Sequence, residues 1–386
     1  MREDRTGGVS VRPAAGRDDM RRFVEFPRVI YRHDPAWAAP PKAALIHRLD
    51  PARNPFYATA RRELFLAWRG DELVGTVAAI MDDARNLRSG TSEGYFGFFE
   101  TIDDPAVSKA LLDAATGWLV RVGATVVRGP TNGSGADETG LLVDGFDTRP
   151  GLWQGHHRPY YRLHLEGHGL VKADDLLAYE LTRDDVGDDV GQVLRFLAGP
   201  AGRARASAVV LRSPSNASWD HDLAVVYELY LRSHRSVPGH AGPSFDQFAS
   251  TARRLRPVTD LDLTVLAEVA GEVVGFAIAV PDVSEVLARR GGFLRLWASG
   301  RLVHRVPPVS TVSIKLLGVA PEHRGRGVGA LLCDELGRRM SAKGYHRCEM
   351  SLVSEKNTGM TTVLEGAGAR AYRRYRVYEA RLPLQT

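Results

Sequence analysis

The residues with the clearest chemical purpose lie in one short stretch, "HRGRGVGALL" at 323–332, where Arg324 is followed by Gly325, Gly327 and Gly329 and then by an apolar run able to begin a helix. Bare main chain at the mouth of a helix presents free N–H groups, and the helix dipole adds positive potential there, so an anion such as a phosphate is favoured. Alternate glycines remove the Cβ atoms that would hold a diphosphate away from those N–H groups. Arg324 and Arg326 can add charge-assisted contacts. "GRGVGA" also satisfies the dinucleotide pattern G-x-G-x-x-[GA], with Glu349 downstream where a ribose-binding carboxylate would be sought. Too little chain follows for a doubly wound domain, the preceding strands read as hairpins, and Glu349 falls inside its strand rather than at its end. No Gly-Lys-Ser/Thr follows, which excludes a Walker loop.

Other candidates are more diffuse. Glu349 lies on the strand "RCEMSLV" with Ser351 on the same face, and a strand carboxylate in a cleft suits a general base. The plainer reading is an ion pair with an arginine such as Arg347. Glu355 comes second, although its place before Asn357 also suits helix capping. His156, His157, His164 and His168 raise the idea of a metal. Without a cysteine or a clear carboxylate partner they read better as exposed or capping histidines, and no metal is expected.

These residues need a scaffold, and the chain writes one twice. "GDELVGTVAAIMD" (70–82) resembles "GEVVGFAIAVPD" (271–282), and "LEGHGLVKADDLLAYE" (165–180) resembles "LEGAGARAYRRYRVYE" (364–379), each at a shift of about 200 residues. Several anchors at one spacing indicate duplication of a whole domain, far too long a period for a solenoid. Residues 1–185 form the first copy, 186–204 a linker and 205–386 the second. Each copy reads as an opening strand, helices, a hairpin with Gly at the turn, a further strand, a helix closing on Gly123 or Gly344, another strand, a short helix and a last strand. That is an α+β fold, an αβα sandwich of mostly antiparallel mixed sheet with helices on both faces.

Taken together, "LLGVAPEHRGRGVGALL" resembles motif A of the GNAT superfamily, the GCN5-related N-acyltransferases, and "EKNTGMTTVLEGAGA" resembles its motif B. The likeness covers the second copy and, through the duplicated layout of tandem members, extends to the first in outline. It implies two GNAT-type folds in tandem and an acyl-CoA co-substrate, acetyl-CoA or another, held by Leu317, Gly318, Val319, Arg324, Gly325, Arg326, Gly327, Val328, Gly329, Ala330 and Asn357. It further implies that the strand 314–319 splays from its neighbour at a bulge, so that its backbone pairs with the pantetheine arm, and that N–H groups near Gly318 and Val319 stabilise the oxyanion. The family tyrosine that protonates the leaving thiolate would fall at Leu364, a departure that puts the usual donor in doubt. Tyr372, Tyr375 and Tyr378 lie on the last strand, and Tyr375 is the candidate substitute; a thiolate can also leave unassisted.

The expected activity is acetyl transfer to the amine of a small molecule by direct attack in a ternary complex. The alternatives are a longer acyl donor acting on a lipid-like or natural-product amine, or a non-catalytic acyl-CoA sensor. The segment 281–308, with Phe293, Leu294, Leu296 and Trp297, would suit a tail groove. In the first copy "TIDDPAVSK" replaces the glycine loop, and Asp103, Asp104 and Pro105 would repel a diphosphate and remove an N–H donor. The first copy is therefore expected not to bind coenzyme A.

Bulk properties fit. Apolar residues make 44% of 386 and charged residues 25%, which suits a globular protein with a real core. A net charge of +5 suits an anionic ligand without calling for nucleic acid, for which neither a groove-reading motif nor an aromatic-basic platform is present. The two cysteines, Cys333 and Cys348, argue against a disulfide framework, and a cytoplasmic setting is expected. No apolar run approaches the ~20 residues of a membrane span, so stable insertion is not expected.

Overall fold

A computed structural model describes residues 8–134, 137–182, 208–235, 242–282 and 309–383. The expected linker and the 283–308 segment, including Phe293, Leu294, Leu296 and Trp297, lie outside the described residues. The chain folds as two compact units: Met1–Leu176 with Arg373–Thr386, and Leu177–Tyr372.

The first unit runs β1 (Val9–Pro13), α1 (Gly16–Glu25), α2 (Pro27–Ile30), α3 (Lys42–Leu49), β2 (Ala60–Arg69), β3 (Glu72–Asp82), α4 (Asp83–Ser89), β4 (Glu93–Thr101), α5 (Pro105–Arg121), β5 (Val126–Gly129), β6 (Leu141–Asp144) and α6 (Tyr161–Gly167), followed by β7 (Val171–Thr182). The second repeats the plan with β8 (Val210–Arg212), α7 (Trp219–His234), α8 (Phe245–Leu255), β9 (Thr264–Val269), β10 (Glu272–Pro281), β11 (Thr311–Val319), α9 (Val328–Ala342), β12 (Arg347–Ser354), α10 (Thr358–Gly366) and β13 (Arg370–Arg381). The correspondence element by element is the duplication seen in the sequence.

Both hairpins turn on two residues, with left-handed backbone at one of them in the first and at both in the second. Gly70 adopts it at φ 57 in the β2–β3 turn; Ala270 and Gly271, at φ 51 and 84, adopt it between β9 and β10. The sheets are mixed: antiparallel pairs dominate, with β4–β5 and β11–β12 parallel. In the first unit, α5 lays Leu111, Leu112, Ala115 and Leu119 on one sheet face, while Phe23, Val24 and Leu49 from α1 and α3 cover the other. In the second, Val328, Leu332, Leu336 and Met340 of α9 cover one face and Val226, Leu229 and Tyr230 of α7 cover the opposite one. The continuous apolar runs of β3 and β10 follow from this double covering. Gly75 and Gly275 let α5 and α9 approach: an added Cβ would lie 2.6 Å from a Leu111 methyl and 2.9 Å from a Val328 methyl.

The last strand of each repeat does not stay with its own copy. Residues 373–381 of β13 belong to the first unit, pairing antiparallel with β6 from Arg374 to Arg376 and with β5 from Tyr378 opposite Gly129 to Arg381 opposite Val126. Residues 177–182 of β7 belong to the second unit, where Glu180 bonds Arg347 at 2.7 Å and Arg370 at 2.6 Å.

Candidate functional site

In the second unit β11 pairs in parallel with β12 from Thr311–Arg347 to Ile314–Met350, and no further. On its other edge the β10 register slips by one, with Ala279 opposite Ile314 and Ile278 opposite Leu316, which leaves Lys315 as the extra residue of a bulge. The expected splay is therefore present, and residues 314–317 are half-buried. After β11 a 3-10 turn at Pro321–His323 delivers the glycine loop. Gly325 and Gly327 adopt φ 73 and 84, the left-handed region that favours glycine. Gly327 is the N-cap of α9 and, having no side chain, leaves the first-turn N–H groups of Val328, Gly329 and Ala330 without a side-chain cap. A Cβ at Gly325 would meet nothing within 4 Å. An uncapped helix mouth preceded by open, left-handed glycines fits a diphosphate, and the neighbouring splayed edge fits an extended amide-bearing arm.

Not every residue of the expected set faces that role. The Arg324 guanidinium donates to the Ser233 carbonyl at 2.5 Å, tying the loop to the end of α7, whereas Arg326 is exposed. Gly318 is required by packing: a Cβ there would lie 2.6 Å from the Phe276 ring and 2.7 Å from Ser233 Oγ. Leu317 and Val319 pack against the core of this unit. Asn357 caps α10, its side chain accepting the Met360 N–H at 3.3 Å. Leu364, at the family tyrosine position, is buried in the core.

Glu349 lies directly opposite Ser313, one pair before the strands part, and is 1% exposed. The Ser313 hydroxyl donates a short hydrogen bond to it. Lys315 Nζ is 3.5 Å from the carboxylate and donates to Ser351 Oγ at 3.0 Å. The bulge residue and the serine on the Glu349 face thus form one buried cluster at the floor of the splay. Arg347, the partner expected for Glu349, is engaged by Glu180 instead. The cluster escaped sequence reading because it needs the bulge to bring Lys315 across, and a single slipped register leaves no residue pattern.

Tyr375 is placed in the first unit, 0% exposed. Its hydroxyl donates to the Gly155 carbonyl at 2.9 Å and accepts from Arg373 at 2.8 Å. The hydroxyl expected to protonate the thiolate is thus buried and hydrogen-bonded within the first unit.

The first unit holds the same splay in another state. The β4–β5 pairing ends at Tyr95–Arg128. The Thr131 N–H donates to the Phe96 carbonyl at 2.8 Å, and the Phe98 N–H donates to Asn132 Oδ1 at 2.5 Å. The chain's own 130–132 segment therefore occupies the edge whose counterpart in the second unit, beyond Ile314, is not paired with β12. Closeness there is extreme: a Cβ on Gly97 would lie 2.0 Å from the Thr131 carbonyl oxygen. Asp104 caps α5 through the Ala106 N–H at 2.8 Å and bonds Arg69 at 2.5 Å. Burial works to raise its pKa, but these bonds outweigh it and hold the carboxylate below its ordinary range.

Of the histidines expected to be exposed or capping, His168 is the C-cap of α6, whereas His156, His157 and His164 are buried. His157 Nδ1 accepts the Leu142 N–H at 3.1 Å, and burial pushes its pKa down to about 3. His156 bridges Asp34 and Arg373, both at 3.0 Å. Among the described residues no three His, Cys, Asp or Glu side chains are grouped to hold a metal ion.

Residues 223–368 match the acetyltransferase (GNAT) family. Over 381 residues the chain is 32% identical to a protein of Caulobacter vibrioides named bacterial ceramide synthase, covering 97% of this chain and 98% of that one. It is 29% identical over 378 residues to protein YghO of Escherichia coli K12, covering 96% and 95%. Among solved structures, a tandem GNAT protein from the clavulanic acid biosynthesis pathway aligns over 98% of this chain and 100% of its own, with a TM-score of 0.57 at 13% identity, a likeness of fold alone.

Proposed function

The chain belongs to the GNAT family of acyltransferases and is an N-acyltransferase, and on that premise we propose that it moves a long acyl chain from coenzyme A to the amine of a long-chain base. The observation that carries this finer reading is the 32% identity to a bacterial ceramide synthase across both units, since a ceramide is an N-acylated long-chain base. It favours the longer-donor alternative over acetyl transfer to a small amine.

Bound acyl-CoA supplies the activated thioester. The residues proposed to hold its diphosphate are the main chain of Gly325, Gly327, Val328, Gly329 and Ala330, with Arg326 as the available cation. Arg324 contributes by fixing the loop to Ser233. The edge of β11 from Lys315 to Val319 receives the arm, and N–H groups at Gly318 and Val319 stabilise the developing oxyanion. Glu349 takes the amine proton, with Ser313 orienting the carboxylate and Lys315 balancing its charge. With Leu364 apolar and Tyr375 committed elsewhere, the thiolate leaves without a tyrosine donor, which its pKa tolerates.

Turnover with acetyl-, octanoyl- and palmitoyl-CoA against sphinganine and a panel of small polar amines tests the reading. Palmitoyl transfer to sphinganine should exceed acetyl transfer to any small amine by about 100-fold or more in kcat/KM, and Gly327→Glu should abolish it by placing bulk and negative charge at the helix mouth. Preference for acetyl-CoA with a small amine would overturn the long-chain assignment. Tight acyl-CoA binding without transfer to any amine would favour a sensor.

A further inference from the structure

The first unit, whose own cleft is closed by residues 130–132, holds a partly open cavity of about 150 Å³ beside that plug, with Phe98 and Asn132 on its wall. Phe23, Trp37, Leu49 and Phe98 form apolar parts of its wall, and Glu100 and Glu138 place two carboxyl groups on it. An engineered apolar cavity of that order takes a benzene-sized molecule, so a short run of alkyl chain is a reasonable fit.

The polar groups on this wall are mostly committed. Glu138 bonds Arg48 at 3.2 Å and Asn132 at 2.8 Å. His156 is held by Asp34 and Arg373, and His157 by the Leu142 N–H. Glu100 differs. It accepts the Tyr161 hydroxyl at 2.7 Å, and among the described residues no cationic nitrogen lies within 4 Å of it. A carboxyl group on a partly apolar wall that lacks a cation lacks the charge an alkylammonium ion carries.

We propose that this cavity binds a primary alkylamine, with the ammonium on Glu100 and the alkyl chain against Phe23, Trp37, Leu49 and Phe98. The proposal rests on the long-chain reading above for its choice of ligand, and it gives the first unit a recognition role of its own. A fatty acid would set its carboxylate near Glu138 and bring no cation to Glu100, whereas an ammonium ion gains the attraction of Glu100 as it ionises, so the site favours the amine over the acid. The electrostatics agree. Burial raises the Glu100 pKa to about 8, against the hydrogen bond from Tyr161 that lowers it; Glu138 raises it further and Arg158 lowers it. The group is mostly protonated at pH 7 with the cavity empty. An incoming ammonium favours the ionised form, so binding at pH 7 releases a proton, and the release fades above pH 9.

The test is calorimetry on the full chain without acyl-CoA, using octylamine, octanol and octanoate at pH 7 in two buffers of different ionisation enthalpy. Octylamine should bind with proton release, octanol at least tenfold more weakly, and octanoate not measurably. Glu100→Gln, which keeps a partner for the Tyr161 hydroxyl, should weaken octylamine at least tenfold and leave octanol unchanged. Leu49→Trp should fill the space and block both. Equal affinity for amine and alcohol in the wild type would overturn the proposal, as would no binding of either or no effect of Glu100→Gln. The readout is independent of turnover. Octylamine binding with failed palmitoyl transfer sinks only the activity; successful transfer with unselective binding sinks only the cavity.

Discussion

At the scale of single residues, the proposed chemistry turns on Glu349. It is buried beside Ser313 and Lys315 where two parallel strands separate. A base there contributes about 10²–10⁴ to rate, so Glu349→Gln should lower kcat by that factor and leave the KM for acyl-CoA nearly unchanged. The substitution also strands a buried ammonium, which can cost about 3–5 kcal/mol. The double variant Glu349→Gln/Lys315→Met removes both charges. If it regains stability in urea unfolding yet stays slow, Glu349 is the base; if speed returns with stability, the carboxylate only neutralises the lysine. His157 gives a prediction of another kind. Its pKa is about 3 folded and about 6.5 unfolded, so between those values the unfolded chain binds the extra proton. The stability it contributes is complete above about 6.5 and is lost as pH falls toward 3, at about 1.4 kcal/mol per unit. From pH 7 to 5 the wild type should lose about 2 kcal/mol more than His157→Asn, measured by urea unfolding; equal losses would place the proton elsewhere.

At the scale of elements, the two copies build one device and use it differently. In each, a bulge and an early end to parallel pairing open a wedge between two strands. In the first, Thr131 and Asn132 close it from within. Gly97→Ala would drive a methyl into the Thr131 carbonyl and should cost about 3 kcal/mol by forcing the plug out. Gly329→Ala, whose Cβ meets only a Val319 methyl at 3.7 Å, should cost less than about 1 kcal/mol in the same urea assay. Similar costs would mean that the plug is not rigid. The contrast also marks what the sequence could carry. The glycine loop, the hairpins and the helix ends at Gly123 and Gly344 were legible because each needs a particular residue type at a particular place. Asp104 and Pro105 were legible as an ordinary helix start in place of the glycine loop, and they open α5 as its N-cap and first residue. The plug was not legible, because Asn132 is an ordinary polar residue whose role exists only across a long-range contact. Glu100 and the buried histidines were hidden for the same reason: burial of a polar side chain is decided by elements distant in sequence.

At the scale of the whole molecule, the sequence repeat and the folded units do not share a boundary. The repeats divide near residues 185–205, yet the first unit takes residues 373–386 and the second begins at Leu177. Arg373, Tyr375 and Tyr378 are 1% exposed or less, and Tyr378 packs in the first unit's core while donating to Glu166 at 3.0 Å. Leu177, Tyr179 and Leu181 do the reciprocal service in the second, with Tyr179 donating to Glu365 at 2.9 Å. Each unit therefore lacks a buried strand unless both repeats are present, and a sheet with a missing inner strand exposes unpaired backbone and apolar side chains at once. Fragments 1–185 and 205–386, expressed separately, should fail to unfold cooperatively and should aggregate. Expressed together, they should form a soluble one-to-one complex that regains acyl-CoA binding. The check is circular dichroism melting of each fragment, with size and calorimetry on the pair. A lone 205–386 fragment that melts cooperatively and binds acyl-CoA as tightly as the intact chain would show that the exchanged strands are dispensable, and that the duplication left two domains each sufficient to itself.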